Sequence, residues 1–272
     1  MLKSIYSCTV NYIKYILILI PTLLSYTVAD ANILVLNGLT HETVSQPGGN
    51  YRERIEIQNS GTEKKDVRIY IRDYWFSYTG ESRHDEPGTL ARSNASWVRY
   101  NPELLTLGPN EKGYVDFEVS VPMDDSLRGT YWSVIMVEGI EPPDTTAGTG
   151  GVKINTAIRY AVQIITNIGE TGTRDLQFTG MELVQNGNQK VLSIAIENTG
   201  ECILKPEVSL EIFNAEGNSV GVFKADRRKT FPGTSITASL VLEGIKPGNY
   251  TAILVADCDE DHVYGTNLSL EI

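Results

Sequence analysis

Histidine is the first residue type to test for chemistry, because it changes charge near neutral pH and binds metals. The chain has three, His41, His84 and His262, and none stands in a nucleophile or zinc-ligand pattern. The densest polar run is Asp257-Cys-Asp-Glu-Asp-His262. Its alternating carboxylates suit Ca²⁺, but a calcium loop of the familiar kind needs a glycine after the third acid and a distal Glu. His262 stands where that glycine belongs, so the run reads as a solvated acidic turn. Glu81, His84, Asp85 and Glu86 form a second polar cluster with the same reading. No catalytic residue, metal or cofactor is expected, and the chain reads as a non-enzyme. The remaining reactive groups are thiols. Cys8 lies in the leading segment, which leaves Cys202 and Cys258 as an even pair.

The leading segment reads as an export signal over residues 1–31. Lys3 and Lys14 give it a positive start, and Tyr15-Ile-Leu-Ile-Leu-Ile-Pro-Thr-Leu-Leu24 is its apolar core. Ala29-Asp-Ala31 fits a small-x-small cleavage site. The apolar run is interrupted by Pro21 and falls short of the ~20 residues that a membrane span needs. The mature chain is therefore expected in the periplasm or outside the cell, with no span of its own. Its formal charge of −11 argues against nucleic-acid binding, which needs clustered Lys and Arg.

After residue 31 the sequence reads as short alternating segments between turn residues, with no amphipathic helix. It predicts strands near 33–36, 51–58, 66–74, 97–107, 114–121, 130–138 and 152–166. A second set is predicted near 176–184, 191–197, 207–213, 219–224, 235–242, 250–256 and 265–272. Residues 77–96 hold Gly80, Pro87 and Gly88 and read as a long irregular loop. The glycine-containing stretch 167–173 separates the halves. The expected architecture is all-β: two tandem immunoglobulin-like sandwiches, 32–168 and 174–272. Asn59-Ser-Gly and Asn198-Thr-Gly follow the second strand of each half, a sign of two similar units. In such a sandwich Cys202 and Cys258 lie at one pole and form a disulfide candidate; the sequence leaves that pairing open. Tyr74, Trp75, Phe76 and Tyr78 cannot all face one side of a strand. The 77–96 loop is expected to cover them, and Trp97 and Trp132 are expected in the core.

The most informative stretch runs Val152-Lys-Ile-Asn-Thr-Ala-Ile-Arg-Tyr-Ala-Val-Gln-Ile-Ile165. Val152, Ile154, Ile158, Tyr160, Val162 and Ile164 share one phase with Thr156, whereas Lys153, Arg159 and Gln163 fall on the other. This segment exceeds the usual strand of about 5–6 residues. Two readings follow. Its apolar stripe packs only on its own core, or it offers Val152, Ile154, Ile158, Tyr160, Val162 and Ile164 to a partner strand.

Residues 97–143 resemble the N-terminal domain of periplasmic pilus-assembly chaperones. The resemblance rests on Leu104-Leu-Thr-Leu-Gly-Pro-Asn-Glu111, Val115-Asp-Phe-Glu-Val-Ser-Val-Pro122, Leu127-Arg-Gly-Thr-Tyr-Trp132 and Val134-Ile-Met-Val-Glu-Gly-Ile-Glu-Pro-Pro143. It implies a non-enzymatic chaperone, monomeric when free, that binds subunits of a surface fibre or envelope assembly by strand addition along 152–166. That family anchors a subunit's terminal carboxylate with two basic cleft residues. The first strand here, 32–41, has no Arg or Lys, and the second place falls near Gln163, so no residue carries the anchor over. The alternative is a secreted or cell-surface immunoglobulin-like adhesion module.

Overall fold

The computed structural model describes residues 33–140, 158–186, 189–259 and 261–272. The first half contributes β1 (Ile33–Val35), β2 (Thr40–Ser45), β3 (Asn50–Asn59), β4 (Lys65–Phe76) and β5 (Ser82–Asp85). It continues with β6 (Val98–Asn101), β7 (Leu104–Leu107), β8 (Lys112–Ser120), β9 (Gly129–Ile140) and β10 (Arg159–Ile168). One sheet has the order β1-β3-β8-β6; the other runs β2-β10-β9-β4-β5, with β7 also on β4. Alternation drives the packing. On β8, Val115, Phe117 and Val119 are buried between the polar residues Asp116 and Glu118. They meet Ile69, Ile135 and Val137 of the facing sheet in one core. Each such side chain contributes about 1.5–3 kcal/mol of gross transfer free energy.

The second half forms β11 (Leu176–Asn186), β12 (Gln189–Asn198), β13 (Glu207–Phe213), β14 (Ser219–Lys224), β15 (Ser235–Val241), β16 (Asn249–Asp259) and β17 (His262–Glu271). Its sheets, β11-β12-β15 and β14-β13-β16-β17, close over Ile194, Ile196, Leu210, Ile212 and Leu254. The chain is thus all-β and built of sandwiches. Among the described residues no helix is long and apolar enough to cross a membrane. The expected leader, 1–31, lies outside the described residues.

Several expectations change. The strand expected over 97–107 is two strands on different sheets: β6 pairs with β8, and β7 with β4. Pro102 separates them, lacking the N–H that a continuous ladder needs. The loop expected over 77–96 contains β5, which folds back on β4. β2 gave no signal because its sequence, Thr-His-Glu-Thr-Val-Ser, is largely polar; it is held by parallel pairing to β10 and by His41, whose Nδ1 meets Glu53 Oε2 at 2.5 Å.

The tyrosine–tryptophan cluster is only partly covered by the 77–96 segment. His84 stacks on Tyr74, and the Arg83 guanidinium lies over Trp75. The second sandwich supplies the other cover. Trp75 Nε1 donates to Gly233 O at 2.9 Å, and Phe231 stacks on Trp132 with centroids 4.7 Å apart. Trp132, Ile165 and Phe231 form a separate small core at the joint, so Trp132 is buried between sandwiches instead of within the first. Trp97 packs at the margin of the first sandwich's core. Gly129 allows the close approach: its φ is +72°, and a Cβ there would collide with Glu201 O.

Candidate functional site: the open edge of β10

β10 changes character along its length. Its C-terminal part, Gln163 to Ile168, is flanked by β9 on one side and by β2 on the other. Its N-terminal part, Arg159 to Val162, pairs only with β9 among the described residues. Gln163 N donates to Leu39 O at 2.9 Å on the β2 side. Backbone groups of an antiparallel strand alternate in direction. Ala161 and Arg159 therefore turn their N–H and C=O groups to that same side, beyond the point where β2 pairing begins. Among the described residues this edge is left without a strand partner.

The apolar phase emerges from the core along the same path. Ile164 and Val162 are fully buried and belong to the first sandwich's core. Tyr160 is half-buried against that core, and Ile158 is 42% exposed. Two of the expected partner-binding residues, Val162 and Ile164, are thus corrected to core positions: both sheets of their own sandwich close on them. Tyr160 and Ile158 stand where the stripe reaches the surface. Val152 and Ile154 lie outside the described residues.

The opposite face of β10 carries Arg159 and Ala161. It continues across β9 and β4 through Met136, Glu138, Arg68, Tyr70 and Arg72, which share one phase by register. Glu138 is buried and holds two guanidinium groups: Arg68 Nη2 donates to its Oε2 at 2.7 Å, and Arg159 Nε to its Oε1 at 2.7 Å. Burial pushes the Glu138 carboxyl up, but hydrogen bonds from Arg68, Arg159 and Tyr70 outweigh it and hold it below the ordinary carboxylate range. The Tyr70 ring has a guanidinium carbon of Arg68 and one of Arg72 each 5.1 Å from its centroid. Arg68, Arg72, Arg159, Tyr70 and His84 line a cavity of about 640 Å³ beside the open edge. Burial lowers the His84 pKa, the Asp85 charge opposes that shift, and Arg159 adds to it.

The sequence reading missed this arginine face. Its signal was the polar phase Arg68-x-Tyr70-x-Arg72 of a strand scored only for its apolar residues. The neighbours of Arg159 on that face come from strands some twenty and ninety residues earlier in the chain.

The two cysteines expected as a disulfide candidate are both free thiols. Cys202 Sγ donates to Thr171 O at 3.1 Å, and both residues line a cavity of about 410 Å³ at the joint. Burial, with Asp259 and Asp257 nearby, pushes the Cys258 thiol up to about 11; burial also raises that of Cys202. The acidic turn is closed internally, with His262 Nδ1 2.6 Å from Asp259 Oδ1. No group of ligating side chains able to hold a metal occurs among the described residues.

No family model and no curated protein sequence matches the chain. Solved structures align with most of it. A chain of a chaperone–tip adhesin complex of CFA/I fimbriae biogenesis is 12% identical, covering 88% of this chain and 98% of that one, with a TM-score of 0.46. The class 5 fimbriae chaperone CfaA is 11% identical, covering 87% and 98%, with a TM-score of 0.43. A chain of the Salmonella enterica SafA pilin–SafB chaperone complex is 12% identical, covering 89% and 99%, with a TM-score of 0.41. Over most of its length this chain is similar to pilus-assembly chaperones.

Proposed function

We propose that this protein is an exported, non-enzymatic chaperone-like protein that binds subunits of a surface fibre or envelope assembly. Binding adds a subunit strand to the open edge of β10. The observation that carries this reading is the edge itself: Arg159 and Ala161 present backbone groups that no described strand takes up, and Ile158 and Tyr160 stand beside them as the apolar stripe leaves the core. Backbone hydrogen bonds supply affinity in such an addition, and alternate side chains supply selectivity. Val152 and Ile154, in the same sequence phase, are proposed to extend the contact. The chain is proposed to divide into a leader (1–31) and two sandwich domains (32–168 and 174–272). It is proposed to be monomeric when free and to work in the periplasm or outside the cell.

A photo-crosslinking amino acid at Ile158, in protein expressed in its native envelope, tests the reading. The expected product is an adduct to a fibre or envelope subunit, absent when the same probe replaces Val222 on β14. Crosslinking from both positions alike, or from neither, would overturn it.

A further inference from the structure

The strand-addition reading leaves open which strands the edge accepts, and the arginine face restricts them. A strand laid beside Arg159 and Ala161 places its alternate residues on two different surfaces. One set lies next to Ile158 and Tyr160. The other lies next to Arg159, on the face shared with Arg68 and Arg72.

The charge lining the cavity on that second surface is of one sign. Glu138 is one carboxylate serving two guanidinium groups, those of Arg68 and Arg159. Arg72 adds a third cation, paired at 3.2 Å with Glu86, whose side chain is largely exposed. Arg68, Arg72 and Arg159 all line the cavity beside the edge. The whole chain carries −11, and although Glu138 and Asp66 share the face by register and Glu86 pairs with Arg72, the cavity itself is lined by three guanidinium groups and no carboxylate. Opposite charges side by side across neighbouring strands stabilise a pair, and like charges destabilise it. The acidic remainder of the chain suppresses loose binding of acidic segments elsewhere.

We infer that the site selects a partner strand that alternates apolar with acidic residues, its acidic side chains set against Arg159 and its apolar ones against Ile158 and Tyr160. This rests on the strand-addition reading and names the partner's chemistry. A second copy of this chain is the wrong occupant. Two β10 edges related by a two-fold axis would bring both Arg159 side chains onto one face of the joined sheet, where like charges are disfavoured.

Synthetic nine-residue peptides test this, each with valine at alternate positions and either Glu, Lys or Gln between them, acetylated and amidated so that neither terminus is charged. They are titrated into ¹⁵N-labelled protein, and the Arg159 and Ala161 amides are followed. The Glu peptide should bind roughly tenfold tighter than the Lys peptide at low salt, the difference shrinking as salt is added. Arg159→Glu should invert the order. Arg159→Gln, which leaves Glu138 its partner Arg68, should remove most of it, with both variants checked for retained fold by circular dichroism. Equal binding of the Glu and Lys peptides at these amides would overturn the acidic preference and leave strand addition standing. Silence of these amides toward every peptide would sink both. Binding only by a Gln peptide with a free C-terminal carboxylate would also overturn the inference, since a chain end would then be what the arginines hold.

Discussion

Asn59 and Asn198 occupy the same place in the two sandwiches and share one set of bonds, to which Asn59 Nδ2 adds a bond to Gly108 O at 3.0 Å. Each ends a strand, β3 or β12, and each is fully buried. The side-chain oxygen of each accepts from the backbone N–H two residues on, Gly61 or Gly200, at 3.0 Å. Each Nδ2 donates to the carbonyl four residues on, Glu63 or Cys202, and to a distant one, Leu107 or Thr230. The parallel extends to a Pro turn. Asn59 N donates to Glu111 O and Asn198 N to Thr234 O, and each acceptor closes a turn, Gly108–Glu111 or Phe231–Thr234. Both turns have Pro second and a positive φ third, at Asn110 and Gly233. The two units thus share one internal device. In the second, Phe231 stands where the first has Gly108, and its ring fills the joint against Trp132.

Removing either asparagine deletes its bonds to the surrounding carbonyls. Thr230 O keeps the Leu204 N–H and Gly108 O the Glu111 N–H, and each buried carbonyl left unpaired costs about 1–3 kcal/mol. Asn59→Ala and Asn198→Ala should each lower stability by roughly 2–4 kcal/mol, read as a shifted urea midpoint. A shift within error for either would show that its turn is held by other contacts.

Phe231→Ala removes the ring that stacks on Trp132 and meets Phe76. Such truncations cost about 3–5 kcal/mol where the site cannot collapse. Here the loss falls on the joint, so the unfolding curve should separate into two transitions and the segment 169–175 should become quicker to cleave. A single, unshifted transition would contradict a joint that depends on Phe231.

Ile164→Asp and Ile158→Asp separate core from surface on one strand. The first buries an unpaired charge in the first sandwich and should abolish folding. The second alters a residue that is 42% exposed and should keep the native circular dichroism spectrum while losing the subunit adduct that a photo-crosslinking amino acid placed at Tyr160 forms in the otherwise native chain. Unfolding by Ile158→Asp would make Ile158 part of the core.

Glu138 carries a pH dependence whose sign is fixed by its arginines. Its folded pKa lies below its ordinary 4.5, so its contribution is present above that value and is lost as the pH falls through the depressed one. The stability difference between native protein and Glu138→Gln should therefore be constant near neutrality and shrink below about pH 4.5. A difference that stays flat down to about pH 3 would mean the arginines do not act on this carboxyl in the folded chain.

Thiol chemistry gives a further check. With the Cys258 thiol pushed up to about 11, iodoacetamide should modify it slowly in the folded protein at neutral pH. In denaturant without reductant, the protein from residue 32 onward should titrate as two thiols. Titration of none would restore the disulfide.

Much of the fold was legible because side chains alternate wherever a strand has one buried face. β3, β8, β13 and β14 fall almost where their apolar residues recur, and each is held by neighbours that obey the same rule. β2 and β5 were illegible for the same reason inverted: a polar strand leaves no stripe, and only pairing with β10 or β4 makes it a strand. Trp97 to Leu107 read as one element because alternation continues past Pro102 in letters but not in hydrogen bonds.

The sequence by itself determined the all-β class, the paired Asn-x-Gly turns, and a long strand with one apolar and one polar phase. Only the tertiary structure decided where that strand leaves its core. Burial of Val162 and Ile164 depends on the facing sheet, and β2 leaves Arg159 and Ala161 unpaired because its own pairing begins at Gln163. It also decided that Arg68, Arg72 and Arg159 share a face, because cross-strand register brings together residues that spacing along the chain does not relate.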